Sequence, residues 1–232
     1  MNVDMQINFL RNIIPQFKQE YDEFHLKQTD IPYEFYLNNG YFDGTDALVL
    51  HCMIRHFKLR KIIECGSGFS TRVSAKASLL NGNTELISIE PYPSEILKKG
   101  FPGLARLYQE KIEDIDINLF KQLKKGDILF IDTSHVVKIG GDVNKIYLEI
   151  IPILNEGVLV HIHDIFSQGN IRKDRFLNYV VFGLNNICCK LFYLLILNLR
   201  LFFVIVTWDG NSFQRCGRLS LNRRSGVVAV FG

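Results

Sequence analysis

The chain has 232 residues, 47% of them hydrophobic and 22% charged, with a net charge of +3. That length and balance suit one α/β domain with a sizeable core, and they exclude a low-complexity chain or a second full-sized domain. The charge is uneven, since residues 167–232 hold nine Lys/Arg and two Asp/Glu and leave 18 basic and 22 acidic residues before them, so the part with the motifs offers no phosphate-tracking face for nucleic acid.

Along the chain, Ile7, Leu10, Ile13, Ile14, Phe17 and Tyr21 recur at helical spacing. They predict an amphipathic helix over residues 5–25, interrupted near Pro15, within a helical arm or lid spanning residues 1–40. Asn38-Asn-Gly-Tyr-Phe-Asp-Gly44 reads as a turn, with Asp43 or Thr45 capping a helix that runs to about Phe57. A strand at 61–65, a helix at 70–80, a strand at 85–90, a short helix from Ser94 to Lys99 and a strand near 104–109 follow. Strand 127–132, a helix at 143–151 and strand 157–163 complete a β/α alternation. The pattern predicts a Rossmann-like, doubly wound α/β domain over residues 41–210, with a mostly parallel sheet and helices on both faces. Ligands of such sheets bind outside the carboxyl ends of the strands.

The apolar run 191–206 is interrupted by Asn198 and Arg200 before the ~20 residues that a membrane span requires. It predicts a buried helix and a strand at 201–207, with no membrane span. Residues 211–232 read as an atypical basic tail. Cys52, Cys65, Cys188, Cys189 and Cys216 form no CxxC pair and read as reduced thiols. The start, Met1-Asn-Val-Asp-Met-Gln, lacks a basic stretch and an apolar core, which predicts a cytoplasmic chain.

Three strand ends carry the chemistry. In Lys61-Ile-Ile-Glu-Cys-Gly-Ser-Gly-Phe-Ser-Thr71 an apolar strand meets Gly66 and Gly68, which allow a ligand close to the backbone, and Ser70 or Thr71 is expected to cap the next helix. Such a turn takes a dinucleotide or S-adenosylmethionine (SAM). Thr71 stands where the dinucleotide fingerprint wants a third glycine, which favours SAM. Glu90 ends the second strand, where a carboxylate accepts hydrogen bonds from ribose hydroxyls. The richest segment is Gly126-Asp-Ile-Leu-Phe-Ile-Asp-Thr-Ser-His135, followed by Gly140-Gly-Asp-Val-Asn144 and the strand that ends in His161-Ile-His-Asp164.

In this ordered set, over roughly residues 40–166, the chain resembles the class I SAM-dependent methyltransferases, particularly small-molecule and sugar O-methyltransferases with a metal site. The resemblance rests on Glu64, Gly66, Gly68, Glu90, Asp132, His135 and the segment Gly157 to Asp164. It implies a SAM site that includes Glu64, Gly66, Gly68, Ser70 and Glu90, with Glu113 or Asp114 toward the adenine amine. His135, three residues beyond Asp132, is the expected general base for an acceptor hydroxyl. Asp132, His163 and Asp164 are the expected ligands of a divalent cation. The corresponding trio in metal-dependent relatives is all carboxylate, so His163 shifts the preference from Mg²⁺ toward first-row transition ions. His161 is expected to pack rather than react. The tail lacks the relatives' Pro/Tyr/Trp-rich loop and closing aromatic, Gly-rich strand. The acceptor is a small molecule or a sugar, and a homo-oligomer stays open. An NAD(P)-dependent oxidoreductase and a catalytically defective methyltransferase-like protein are the alternative readings.

Overall fold

The computed structural model describes residues 7–42, 44–164, 201–204 and 227–231. The expected cap Asp43, the expected buried helix before residue 201, most of the basic tail, and Cys188, Cys189 and Cys216 lie outside the described residues.

Among the described residues seven strands form one sheet: β1 (Lys61–Cys65), β2 (Glu85–Ile89), β3 (Arg106–Tyr108), β4 (Ile128–Ile131), β5 (Leu159–Ile162), β6 (Leu201–Val204) and β7 (Val227–Phe231). Their order is β3-β2-β1-β4-β5-β7-β6. The first five pair in parallel, whereas β7 runs antiparallel to both β5 and β6. The order reverses beside β1, so the carboxyl ends of β1, β2 and β4 border the crevice where such sheets bind ligands.

The sheet is buried on both faces, which explains the unbroken apolar runs of its central strands. Along β1, Ile62 packs toward helix α1 (Gly44–Phe57) and helix α2 (Phe69–Asn81), with Leu50, Ile54 and Val73, while Ile63 packs on the opposite side with Phe120, Ile146 and Ile150. These side chains are fully buried. Each contributes about 1.5–3 kcal/mol of hydrophobic stabilisation.

The N-terminal segment winds through a π turn at Phe9–Ile13, a 3-10 turn at Ile14–Phe17 and a single α turn at Lys18–Tyr21. Pro15 stands at the start of the 3-10 turn, where its missing N–H costs nothing. The segment is fastened to α1 by Glu20, whose carboxylate receives Arg55 through both oxygens at 2.8 and 2.9 Å and contacts the buried His51 at 2.8 Å. The helix expected at 143–151 is an α turn at Asp142–Asn144 that passes into a π turn at Lys145–Ile150 and a 3-10 turn at Ile151–Ile153, where Pro152 excludes a continuous α ladder. Cys52 and Cys65 are buried free thiols, and burial pushes Cys52 up to about 12. Among the described residues no helix is long and apolar enough to cross a membrane.

Candidate active site

Glu64 is the fully buried floor of the site. It accepts hydrogen bonds from Ser70 of α2 at 2.5 Å and Ser88 of β2 at 3.0 Å. Burial dominates its protonation and, with the negative charge of Asp132 adding to it, pushes the carboxyl up to about 7 against the hydrogen bonds from Ser70, Thr71 and Ser88. Glu64 and Ser70, both expected at the cofactor, therefore brace the glycine turn from below.

Gly66 has φ +84°, and a Cβ there would lie 1.8 Å from the carbonyl oxygen of Asp132. Its neighbour is thus the chain's own β4 end, so the glycine couples the first loop to the fourth strand. Gly68 differs, because a Cβ there would meet nothing within 4 Å. Gly68 is also the N-cap of α2, in place of Ser70 or Thr71. Thr71 instead accepts the Gly68 N–H at 2.9 Å. The residue that fails the dinucleotide fingerprint is thereby occupied in holding the turn.

Glu90 follows β2 and reaches back across β1. Its two oxygens accept the Ser67 N–H at 3.1 Å and the Tyr92 N–H at 2.8 Å, and each keeps a lone pair for a further donor. Glu113 is half-buried on a 3-10 turn, Ile112–Asp114, five residues past the end of β3.

At the ends of β4 and β5 the side chains converge. One oxygen of Asp132 lies 3.1 Å from Nε2 of His135 and 3.3 Å from Nδ1 of His163. His163 is buried, 3.5 Å from Asp46 of α1 and 3.7 Å from Asp164, with its ring 5.0 Å from that of Phe42. Burial alone would strip its proton. Hydrogen bonding to Asp132 and Asp46 and the charges of Asp132 and Asp164 prevail and push His163 up to about 10. Burial likewise opposes ionisation of Asp132, yet His135 and His163 hold that carboxyl well below the usual range.

His135 and Asp164 have φ of +56° and +55°, a conformation that L residues rarely adopt and that collects at functional sites. The loop carrying His135 is closed by Asp142, which accepts the Ser134 N–H at 2.8 Å and its hydroxyl at 2.7 Å. His161, by contrast, packs edge-on against Phe130 with ring centroids 4.7 Å apart, and burial holds it neutral at about 3.

For a metal, one ligand atom each from Asp132, His135 and Asp164 lie within 4.8 Å of one another, and an oxygen of Asp164 is buried without a hydrogen-bond partner. This donor set fits a first-row divalent ion. His163, expected among the ligands, lies outside this group and packs behind it, 3.3 Å from Asp132 and 3.7 Å from Asp164. Asp46 escaped the sequence reading because an acidic residue in the first turn of a helix is ordinary there.

The methyltransferase-domain family model matches residues 63–165, the span of β1 to β5 with both loops just described. This segment, a little under half of the chain, is similar to a methyltransferase domain. A relative from Archaeoglobus fulgidus, an uncharacterized protein, is 31% identical over 132 residues, covering 55% of this chain and 59% of its own length. The chain thus spans less than two thirds of that relative. Among solved structures, the O-methyltransferase TomG from Streptomyces achromogenes, involved in tomaymycin synthesis and solved with SAM, is similar over 99% of this chain and 95% of its own at 14% identity and a TM-score of 0.53. An O-methyltransferase from Bacillus cereus, solved with S-adenosylhomocysteine (SAH), is similar over 98% and 96% at 14% identity and a TM-score of 0.50. At that identity the likeness shows a shared fold.

Proposed function

We propose that this methyltransferase domain binds SAM over Gly68 and Glu90 and moves its methyl group to a hydroxyl of a small-molecule acceptor. The observation that carries the reading is that Glu90, bonded to the glycine turn, and the Asp132–His135 pair stand on one rim, at the ends of β2 and β4 on either side of β1. The cofactor, when bound, supplies an activated methyl whose transfer needs alignment more than covalent help from the protein. His135 donates Nε2–H to Asp132, and in that tautomer its Nδ1 carries the lone pair that takes the acceptor's proton. Asp132 fixes the ring and stabilises the imidazolium that forms. A divalent ion on Asp132, His135 and Asp164 would polarise the acceptor oxygen in place of this base, because it would take the lone pair that His135 uses.

The oxidoreductase alternative requires the turn to accept a pyrophosphate at a third glycine, and here Thr71 is tied to Gly68. Titration calorimetry with SAM, SAH and NADH tests the reading. Binding of SAM and SAH without NADH is expected, and the reverse would reject it. Turnover on any hydroxyl acceptor separates an active enzyme from a defective one.

A further inference from the structure

We propose that Tyr41, Phe69 and Arg72 form the platform on which the methyl acceptor is seated, and that the acceptor is a planar ring bearing a carboxylate; this rests on the methyl-transfer reading above. The platform begins with Asn39. Its side-chain oxygen accepts the Tyr41 N–H at 2.9 Å and the Phe42 N–H at 2.7 Å, and its amide donates to the carbonyls of Tyr36 and Phe42, both at 2.7 Å. One side chain thus fixes the whole loop and sends two adjacent aromatic residues to different neighbours. Phe42 is buried against His163. Tyr41 is 69% exposed and lies flat on Phe69, with centroids 5.9 Å apart and planes 9° apart. Phe69 directly follows Gly68, the open glycine of the cofactor turn.

Phe69 is gripped further by the edge of Tyr36 at 5.3 Å and by the Arg72 guanidinium 4.2 Å from its ring centre. Among the described residues no carboxylate lies within ion-pair distance of Arg72. Glu34 is adjacent in space, but its carboxylate engages Thr29 at 2.5 Å and His25 at 3.5 Å, leaving Arg72 only the Glu34 backbone carbonyl at 3.4 Å. A half-buried guanidinium with most of its donors uncommitted, packed on the same Phe69 ring as an exposed stacked tyrosine, is complementary to an anionic flat ring. A neutral sugar would leave that charge uncompensated. The placement also serves the chemistry: Tyr41 is one residue along the loop from Phe42, Phe42 touches His163, and His163 and His135 share an oxygen of Asp132.

The probes are 4-hydroxybenzoate and 4-hydroxybenzamide, which share ring and hydroxyl and differ in charge. Their binding is measured by calorimetry with and without SAH, and methyl transfer from SAM is followed by SAH release. The acid is expected to bind roughly tenfold more tightly than the amide, the scale of one charge-assisted contact. Arg72→Gln should erase that preference, Arg72→Lys should keep part of it, and Tyr41→Ala should weaken both probes. SAH affinity and melting temperature should stay at wild-type values throughout. Equal affinity for acid and amide, no binding of either, or an Arg72→Gln defect in SAH binding overturns the platform. Failure of wild-type protein to bind SAM or SAH rejects the methyl-transfer reading instead, and the acid–amide comparison without cofactor still decides the platform.

Discussion

His135 and Glu90 separate the two halves of the proposed reaction, because one touches the proton and the other the cofactor. Removing the His135 ring takes away the base while Gly68, Ser67 and Glu90 stay in place. His135→Ala is therefore expected to lower turnover on the order of 10²- to 10⁴-fold with SAM affinity nearly intact. Single-turnover rates beside calorimetric affinities check this, and a matching loss of both would move His135 into the cofactor site. Glu90→Ala removes the acceptor of the Ser67 and Tyr92 N–H groups and the proposed ribose partner together. SAH binding should weaken by roughly 1–3 kcal/mol, the range for a buried polar group left unpaired. Unchanged affinity would take Glu90 out of the cofactor site.

The elements between these residues carry two further consequences. Gly66→Ala places a methyl group where the Asp132 carbonyl already lies and forces an L residue to φ +84°. Both β1 and β4 ends must shift, so a loss of stability of about 2 kcal/mol or more is expected, measured by urea denaturation. A stability equal to wild type would mean that the loops move independently. Glu64 makes the same elements sensitive to pH. Its folded pKa of about 7 stands above the ordinary 4.5, so the folded chain keeps a proton that the unfolded chain has lost. This contribution to stability is full below pH 4.5, declines as the pH rises to about 7 and is flat beyond. Glu64→Gln should remove that decline in a pH series of melting temperatures, and a mutant that retains the wild-type slope would show that Glu64 is ionised in the fold.

These elements also show what was legible in the sequence. Strands β1, β2, β4 and β5 were readable because each is an apolar run bounded by Gly, Pro or Asp, and α1 and α2 because they are long enough for periodicity to register. The 3-10 turns at Ile112–Asp114 and Ile117–Gln122 were not, since runs this short are set by tertiary packing. Strand β7 carries the same signal, Val227-Val-Ala-Val-Phe231 between two glycines, and was missed beside the basic Arg223-Arg224 pair; its antiparallel pairing with β5 and β6, far away in sequence, has no local mark. At the site, Glu90, Asp132, His135 and Asp164 were visible as polar residues ending apolar strands. The protonation of His163 was not, because it depends on Asp46, which arrives from α1 more than a hundred residues earlier in the chain.

At the scale of the whole molecule, the parallel sheet collects charge on one rim, and the balance of that charge decides what the site tolerates. Asp46, Asp132 and Asp164 surround the buried His163 ring at 3.5, 3.3 and 3.7 Å, and their charges favour its protonated form, which supplies a counter-charge within the fold. A divalent ion on Asp132, His135 and Asp164 would add two positive charges beside it and engage the lone pair that His135 needs as a base. Turnover is therefore expected to survive a chelator. Added Zn²⁺, which favours nitrogen donors, should suppress it, while Mg²⁺, which favours oxygen, should do so far less. Rates in chelator, after chelator removal and in each ion check the prediction. Activity that vanishes with the chelator and returns with a divalent ion would instead make the Asp132–His135–Asp164 cluster a working metal centre, with the acceptor hydroxyl activated there.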